Sequence, residues 1–402
     1  MKVTIIANFP SRIEGEKEKG RFLYLGEMLS ERGHEVKMLV SDFKHATKER
    51  RTYISDQYKT KITALHEPGY AKNVSQKRLW SHYRWGQNVE KYLNASETPD
   101  VVYCAIPSLT AGIRAARYCK GKGIPFVIDV QDLWPEAFTL AIKNKVLQLV
   151  FKPIEWYVNR VYKNADAVVA VSDTYAQRAL DVNEKGKKGL TVYLGNDGAL
   201  FDGSRSERRE REGKDGLQLA YIGTLSYSYD IKCVIDALAI YREKDVKPDV
   251  HFVVMGNGPL KEEFERYAQE KGIETEFTGS LPYAEMVRRM TGSDIVVNPI
   301  VKGAAQSITN KVGDYALSGL PVISTQENKE YRQLVEEYRC GINCESGNAQ
   351  EVAEALEMLA TNEAVRKQMG EAARKLGNER FDRRITYKKI VELIENYDKK
   401  NV

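Results

Sequence analysis

The stretch AAQSITNKVGDYALSGLPVIST, from Ala304 to Thr325, brings hydroxyls, a lysine and an acid together where a helix is expected to begin. Ser307, Ile308, Thr309, Asn310 and Lys311 fall at or just before that start. The first backbone N–H groups of a helix have no intrahelical partner and favour an anion. Lys311 adds a full positive charge, and Ser307 and Thr309 add hydroxyl donors. Asp314 follows about one helical turn later, eight positions after Gln306. This chemistry suits a nucleotide diphosphate whose sugar hydroxyls are gripped by the polar pair. Three glycine turns extend it. In YIGTLS (Tyr221–Ser226) Gly223 lets backbone approach a phosphate, and Thr224 offers an N–H and a hydroxyl. In MGNGP (Met255–Pro259) Gly256 and Gly258 either make the turn or touch the ligand. In FTGSLP (Phe277–Pro282) backbone groups around Gly279 could pair with a base edge.

The N-terminal half carries a second set. VIDVQDLWPEAF (Val127–Phe138) ends a strand with Asp129, Gln131, Asp132 and Glu136. Carboxylates beyond a buried strand are costly unless they are paired or used. Asp132 is the candidate to orient or deprotonate an acceptor hydroxyl, whereas Asp129 reads as structural. Gly20 and Arg21 open the first helix; Gly20 allows a close approach to a ligand and Arg21 could reach a phosphate, although glycine is also an ordinary cap. From Lys44 to Lys91 there are 11 Lys or Arg against 4 Asp or Glu, three of the five histidines, and interleaved Tyr53, Tyr58, Tyr70, Trp80, Tyr83 and Trp85. Such a mix suits an anionic membrane surface or a lipid phosphate, met by Lys72, Arg78, Trp80 and Arg84. Single-stranded nucleic acid or a solvated surface would suit it equally. The net charge of +5 is mild, and no nucleic-acid partner is expected.

These residues must be positioned by alternating strands and helices. Apolar runs at Val3–Asn8, Glu35–Val40, Asp100–Ile106, Pro125–Val130, Ala165–Val171 and Thr191–Leu194 alternate with helical spacing such as Phe22, Leu25 and Leu29. The periodicity vanishes between Asp197 and Asp215 in a charged linker, then restarts at Leu217–Gly223. The pattern predicts an α/β protein of two Rossmann-like doubly wound domains facing a cleft, with ligands at the carboxyl ends of the strands. The expected division is residues 1–200, residues 201–380, and a last helix at 381–402 that packs back on the first domain. A chain of 402 residues is too long for one ordinary core. The N-terminus MKVTIIANF reads as a strand rather than a signal peptide, so a cytoplasmic protein is expected. Five cysteines without a CxxC pair read as reduced thiols. No DxD, GxxxxGK[ST], HExxH or GxSxG sequence occurs, so metal and hydrolase chemistry have no motif.

RGHEV (Arg32–Val36), PDVVYCAIPSL (Pro99–Leu109), IDVQDLWPEAF, LGNDGALF (Leu194–Phe201), YIGTLSYSYD (Tyr221–Asp230), GNGP and NKVGDYALSGLPVIST together resemble glycosyltransferase family 4. The likeness is greatest to its branch that builds bacterial capsule, exopolysaccharide and O-antigen chains. The resemblance implies a GT-B fold, with acceptor bound by the first domain and donor by the second. It implies a nucleotide-sugar donor of the UDP type, no metal or other cofactor, and retention at the anomeric carbon. A lipid-linked or polysaccharide acceptor at the inner membrane face follows from the same branch. The family's pair of glutamates reads here as Gln306 and Asp314, for sugar and ribose hydroxyls respectively. Its Arg and Lys around the first glycine loop read as Thr224 and Tyr229, which leaves Lys311 as the natural cation for the diphosphate. Its histidine in the first-domain loop reads as Gln131, which shifts that role to Asp132. A nucleotide-sugar 2-epimerase and a non-catalytic paralogue share the architecture.

Overall fold

The computed structural model describes residues 1–10, 13, 19–51, 57–73, 75–136, 151–185, 189–204, 216–244, 248–304 and 308–398. They form two compact units, one of Met1–Val192 with Tyr387–Val402, the other of Tyr193–Thr386.

The first unit runs β1 (Lys2–Ala7), α1 (Arg21–Glu31), β2 (Glu35–Ser41), β3 (Lys61–Leu65), α2 (Gln76–Ala95), β4 (Val101–Ile106), α3 (Leu109–Lys122), β5 (Phe126–Val130), α4 (Lys152–Asn164), β6 (Ala167–Ala170), α5 (Asp173–Leu180) and β7 (Leu190–Thr191). The strands pair in parallel in the order β3-β2-β1-β4-β5-β6-β7. All residues of β4 and β5 are buried, as a parallel sheet covered on both faces requires. Trp85 and Val89 of α2, Ile113 of α3, and Val158 and Val161 of α4 fill one face. Leu25 and Leu29 of α1 fill the other, with Tyr387, Ile390, Val391 and Ile394 from the end of the chain.

The second unit runs α6 (Gly198–Ser204), β8 (Leu217–Ile222), α7 (Ile231–Glu243), β9 (Val250–Met255), α8 (Lys261–Glu270), β10 (Thr275–Gly279), α9 (Tyr283–Thr291), β11 (Ile295–Asn298), α10 (Asn310–Ser318), β12 (Val322–Ser324), α11 (Lys329–Tyr338), β13 (Gly341–Asn343), α12 (Ala349–Thr361), α13 (Glu363–Leu376), a π-helical turn (Gly377–Phe381) and α14 (Arg383–Thr386). Its parallel order is β10-β9-β8-β11-β12-β13. The chain then returns to the first unit with α15 (Lys388–Glu395). In both sheets the order reverses beside the first strand, between β1 and β4 and between β8 and β11. Such switch points open a crevice at the carboxyl ends.

The units divide earlier than residue 200. The Tyr193 ring stacks on Phe381 at 5.0 Å, and Asn196 and Phe381 share a backbone hydrogen bond, so this segment joins the second core. The charged run expected as a linker lies at 205–215, outside the described residues. Inside the basic segment the structure adds β3 and α2, which the charge pattern had hidden. Ser75 caps α2 by accepting from the Arg78 amide at 3.2 Å.

Candidate active site

In the second unit the site assembles where β8, β9 and β10 end and α10 begins. Gly223 follows β8 with φ +136°, a conformation open to glycine. A side chain on Gly256 would sit 1.8 Å from the Gly223 carbonyl oxygen. The two loops therefore close on each other through backbone, with the Gly223 amide donating to Met255 O at 3.0 Å. Gly279 ends β10 at φ +72° and bridges to Gly256. Gly256 and Gly279 thus shape the turns, while Thr224 is exposed at the rim.

α10 starts with Thr309 at the cap position and stops at Gly319 in the left-handed region. Thr309 makes no cap, and its buried Oγ1 has no partner among the described residues. Asn310 is exposed beside it. Lys311 is only 8% exposed. Its Nζ lies 3.5 Å from the centre of the Tyr229 ring and 4.6 Å from that of Tyr221, and donates to the Tyr221 hydroxyl at 3.3 Å. It forms no ion pair within 4.0 Å among the described residues. Burial pushes its pKa well below the ordinary lysine value, and the Asp314 carboxylate opposes this only in part. A side chain on Gly223 would meet Nζ at 2.7 Å. The ammonium is therefore held against the glycine loop.

Asp314 is buried, and its Oδ1 accepts from Asn196 Nδ2 and from the Tyr283 hydroxyl, both at 2.6 Å. The oxygen expected to grip a ribose is occupied by these internal donors. Gln306 and Ser307 lie outside the described residues.

In the first unit Arg21 departs from expectation. It does not face an acceptor: it is buried, and its Nε and Nη2 donate to the two oxygens of Asp129 at 2.8 and 3.2 Å. Its Nη1 donates to Val192 O and to the Tyr387 hydroxyl. Asp129 also accepts from Tyr103 Oη at 2.7 Å and Gln131 Nε2 at 2.6 Å. A guanidinium so engaged is an internal tie. Gly20 is a buried cap whose carbonyl accepts from the Tyr24 amide. Asp132 accepts from the Leu133 amide at 2.9 Å and Trp134 Nε1 at 3.2 Å; burial raises its pKa, against the pull of those two bonds. Arg78 lies with its guanidinium 5.0 Å from the Trp134 ring and 5.6 Å from the Tyr70 ring. Asp132, Trp134 and Arg78 are thereby brought together at one edge.

Residues 204–376 match the family described as glycosyl transferases group 1, and residues 21–195 match glycosyltransferase family 4. The protein is a GT-B glycosyltransferase, family 4-like in sequence. An uncharacterized glycosyltransferase of Methanocaldococcus jannaschii is 24% identical over 63% of this chain and 64% of its own, so the match spans just under two thirds of that relative. The alpha-D-kanosaminyltransferase of Streptomyces kanamyceticus is 23% identical over 65% of this chain and 72% of its own. Among solved structures, Anabaena HepE in complex with UDP superposes with a TM-score of 0.70 at 17% identity, covering 98% of the glycosyltransferase and all of HepE. HepE has also been solved with UDP-glucose.

Sequence reasoning missed the tyrosine cage of Lys311. Its signal was present: Tyr229 stands where the family places a lysine, and an aromatic there can hold an ammonium delivered from α10. It also missed that His45, Lys48 and Tyr70 gather around Arg78 and His82 of α2, because the first three follow different strands.

Proposed function

We propose that this glycosyltransferase moves a sugar from a UDP-sugar to a lipid-linked glycan in bacterial surface polysaccharide synthesis, with retention at the anomeric carbon and without a metal. The observation that carries the donor half is Lys311: a buried amine with no ion pair within 4.0 Å among the described residues, held at a glycine loop and a helix start. A buried charge of this kind is costly unless an anion arrives. The UDP and UDP-glucose complexes of the similarly folded HepE support a nucleotide-sugar in this role.

In the proposed reaction the bond from the sugar C1 to the diphosphate oxygen breaks and a bond from C1 to the acceptor oxygen forms on the same face. The acceptor proton passes to the leaving diphosphate oxygen. Lys311, Thr309 and the α10 N-terminus stabilise the charge that develops there. Asp132 orients the acceptor hydroxyl. Lys311→Met is expected to lower turnover by about two to three orders of magnitude with the fold intact; near-normal turnover with any of a panel of UDP-sugars would sink the assignment. Activity is expected to survive chelation by EDTA.

The membrane partner rests on exposed side chains of the first unit. Leu79, Trp80 and Tyr83 of α2 and Trp156 and Tyr157 of α4 are exposed, with Lys77, Arg84 and Arg160 on the same helices. Aromatics beside basic residues suit an anionic interface. No described helix is long and apolar enough to cross a membrane. Flotation with anionic vesicles tests this; salt-insensitive absence from the vesicle fraction would count against it.

A further inference from the structure

We propose that the first unit holds a phosphate-class anion on Arg78 and Lys48 beside Tyr70, and that in the reaction above this anion is the phosphate of the acceptor. The second clause rests on the proposed function; the first stands on the geometry alone.

Tyr70 is the centre. It is 5% exposed, and its hydroxyl lies 2.6 Å from His45 Nδ1. Lys48 Nζ stands 5.0 Å from its ring centre and the Arg78 guanidinium 5.6 Å, while the His82 ring lies 5.9 Å away. Phe9, just past β1, contacts both histidine rings at 5.0 and 5.3 Å. Residues from the carboxyl ends of β1, β2, β3 and β5 and the start of α2 thus converge, at the edge where such sheets bind ligands.

Among the described residues the charges there do not balance. Lys48 and Arg78 bear the same sign on one ring, and neither has an ion pair among the described residues. Lys48 Nζ donates to the His45 carbonyl and to Asn73 Oδ1, and Arg78 Nη1 donates to the Asn73 carbonyl at 2.8 Å. All these acceptors are neutral. Burial first and the Arg78 charge second lower the pKa values of Lys48 and His82, the latter to about 3.

Of the described carboxylates nearby, Asp42 and Asp132 are engaged elsewhere. Asp42 pairs with Arg50 and His66. Asp132 takes the Leu133 amide and the Trp134 indole. Glu67 is fully buried on Ser81, 4.0 Å from His82 Nε2, and burial favours its neutral form.

Two buried nitrogens point to a missing partner. Arg78 Nε and His82 Nε2 are both buried without a hydrogen-bond partner among the described residues, and His82 is only 8% exposed. Orphaned polar atoms of this kind call for a ligand or an ordered water. A guanidinium and an ammonium that approach from different elements can reach different oxygens of one tetrahedral phosphate, and arginine is well suited to phosphate. Lys48 is also held at φ +64°, a conformation uncommon for a side-chain-bearing residue.

The test is calorimetry on the full chain with UDP at saturation, so that the donor side is filled. The probes are inorganic pyrophosphate and geranyl diphosphate. The wild type is expected to bind both, and Arg78→Gln and Lys48→Asn each to weaken binding about tenfold or more. Arg78→Lys is expected to recover part of the loss, and thermal melting checks that each variant folds. Asparagine tolerates the left-handed backbone at position 48, so that variant keeps the test open if Arg78→Gln misfolds. Equal affinities in wild type and variants, or no binding of either probe by the wild type at millimolar concentration, overturn the site. Pyrophosphate binding with geranyl diphosphate excluded overturns its assignment to a lipid-linked acceptor and leaves a free phosphate as the ligand. UDP affinity from the same samples is independent: its absence would strike the donor reading and not this one.

Discussion

At the scale of single residues, two buried cations decide the chemistry, and they are handled in opposite ways. Arg21 meets a carboxylate with two-pronged geometry, whereas Lys311 meets two tyrosine rings and a hydroxyl. A desolvated cation–π contact contributes about 2 kcal/mol, less than the several kcal/mol needed to take an ammonium out of water. Lys311 therefore destabilises the donor-free protein. Lys311→Met is expected to raise stability by about 1–3 kcal/mol while turnover collapses. The pH dependence has a definite sign. Burial lowers the folded-state pKa below the ordinary value of 10.5, so the folded state loses its proton first as pH rises. The penalty is full below the folded pKa and shrinks as pH climbs towards 10.5. Denaturant titrations of wild type and variant should show their gap narrowing across the alkaline range; a gap that widens with pH would place the charge elsewhere.

At the scale of elements, the tie between α1 and β5 and the closure of the glycine loops set the site. Arg21 opens α1 and Asp129 lies in β5, so their pair fixes the first helix to the centre of the sheet. Removing one partner leaves a buried charge uncompensated. Arg21→Met is expected to cost about 3–5 kcal/mol in chemical denaturation. Arg21→Met with Asp129→Leu should cost less than either alone, since no orphan charge then remains; additive losses would show that the pair is not the tie. The elements around these residues were largely legible. Strands β1, β4, β5 and β8 are buried on both faces and read as apolar runs. β3 and α2 were not legible, because β3 is an edge strand with exposed Lys61 and Ala64 and α2 turns Leu79, Trp80 and Tyr83 outward. Their apolar pattern is diluted by a surface that serves something other than the core. Arg21 was misread for a related reason: a positive charge at a helix start looks like a ligand contact until Asp129, 108 residues away, is brought against it.

At the scale of the whole molecule, two repeats of one architecture are joined by a chain that crosses twice, after Val192 and after Thr386. The repeat was legible because strand and helix periods restart after the charged run. The return of the last helix to the first unit was legible as well, from its amphipathic pattern; the earlier crossing was not, because it is set by Tyr193 stacking on Phe381, a contact between distant parts of the chain. The return of the chain has a consequence for stability. Tyr387, Ile390, Val391 and Ile394 are fully buried in the first unit, and Arg21 loses a hydrogen-bond partner without Tyr387. Each large apolar side chain removed from a core costs about 2–5 kcal/mol, so the four together cost about as much as the roughly 5–15 kcal/mol that holds a domain folded. A chain ending at Thr386 is therefore expected to lose the first unit. Among the described residues the second draws none of its core from beyond Thr386, and it should still melt cooperatively. Calorimetry of the shortened chain should show a single transition that UDP shifts upward, since a ligand that binds only the native form stabilises it. Limited proteolysis should leave a fragment beginning near Tyr193. Two intact transitions, or a first unit still resistant to protease, would mean that α15 covers the first core without completing it.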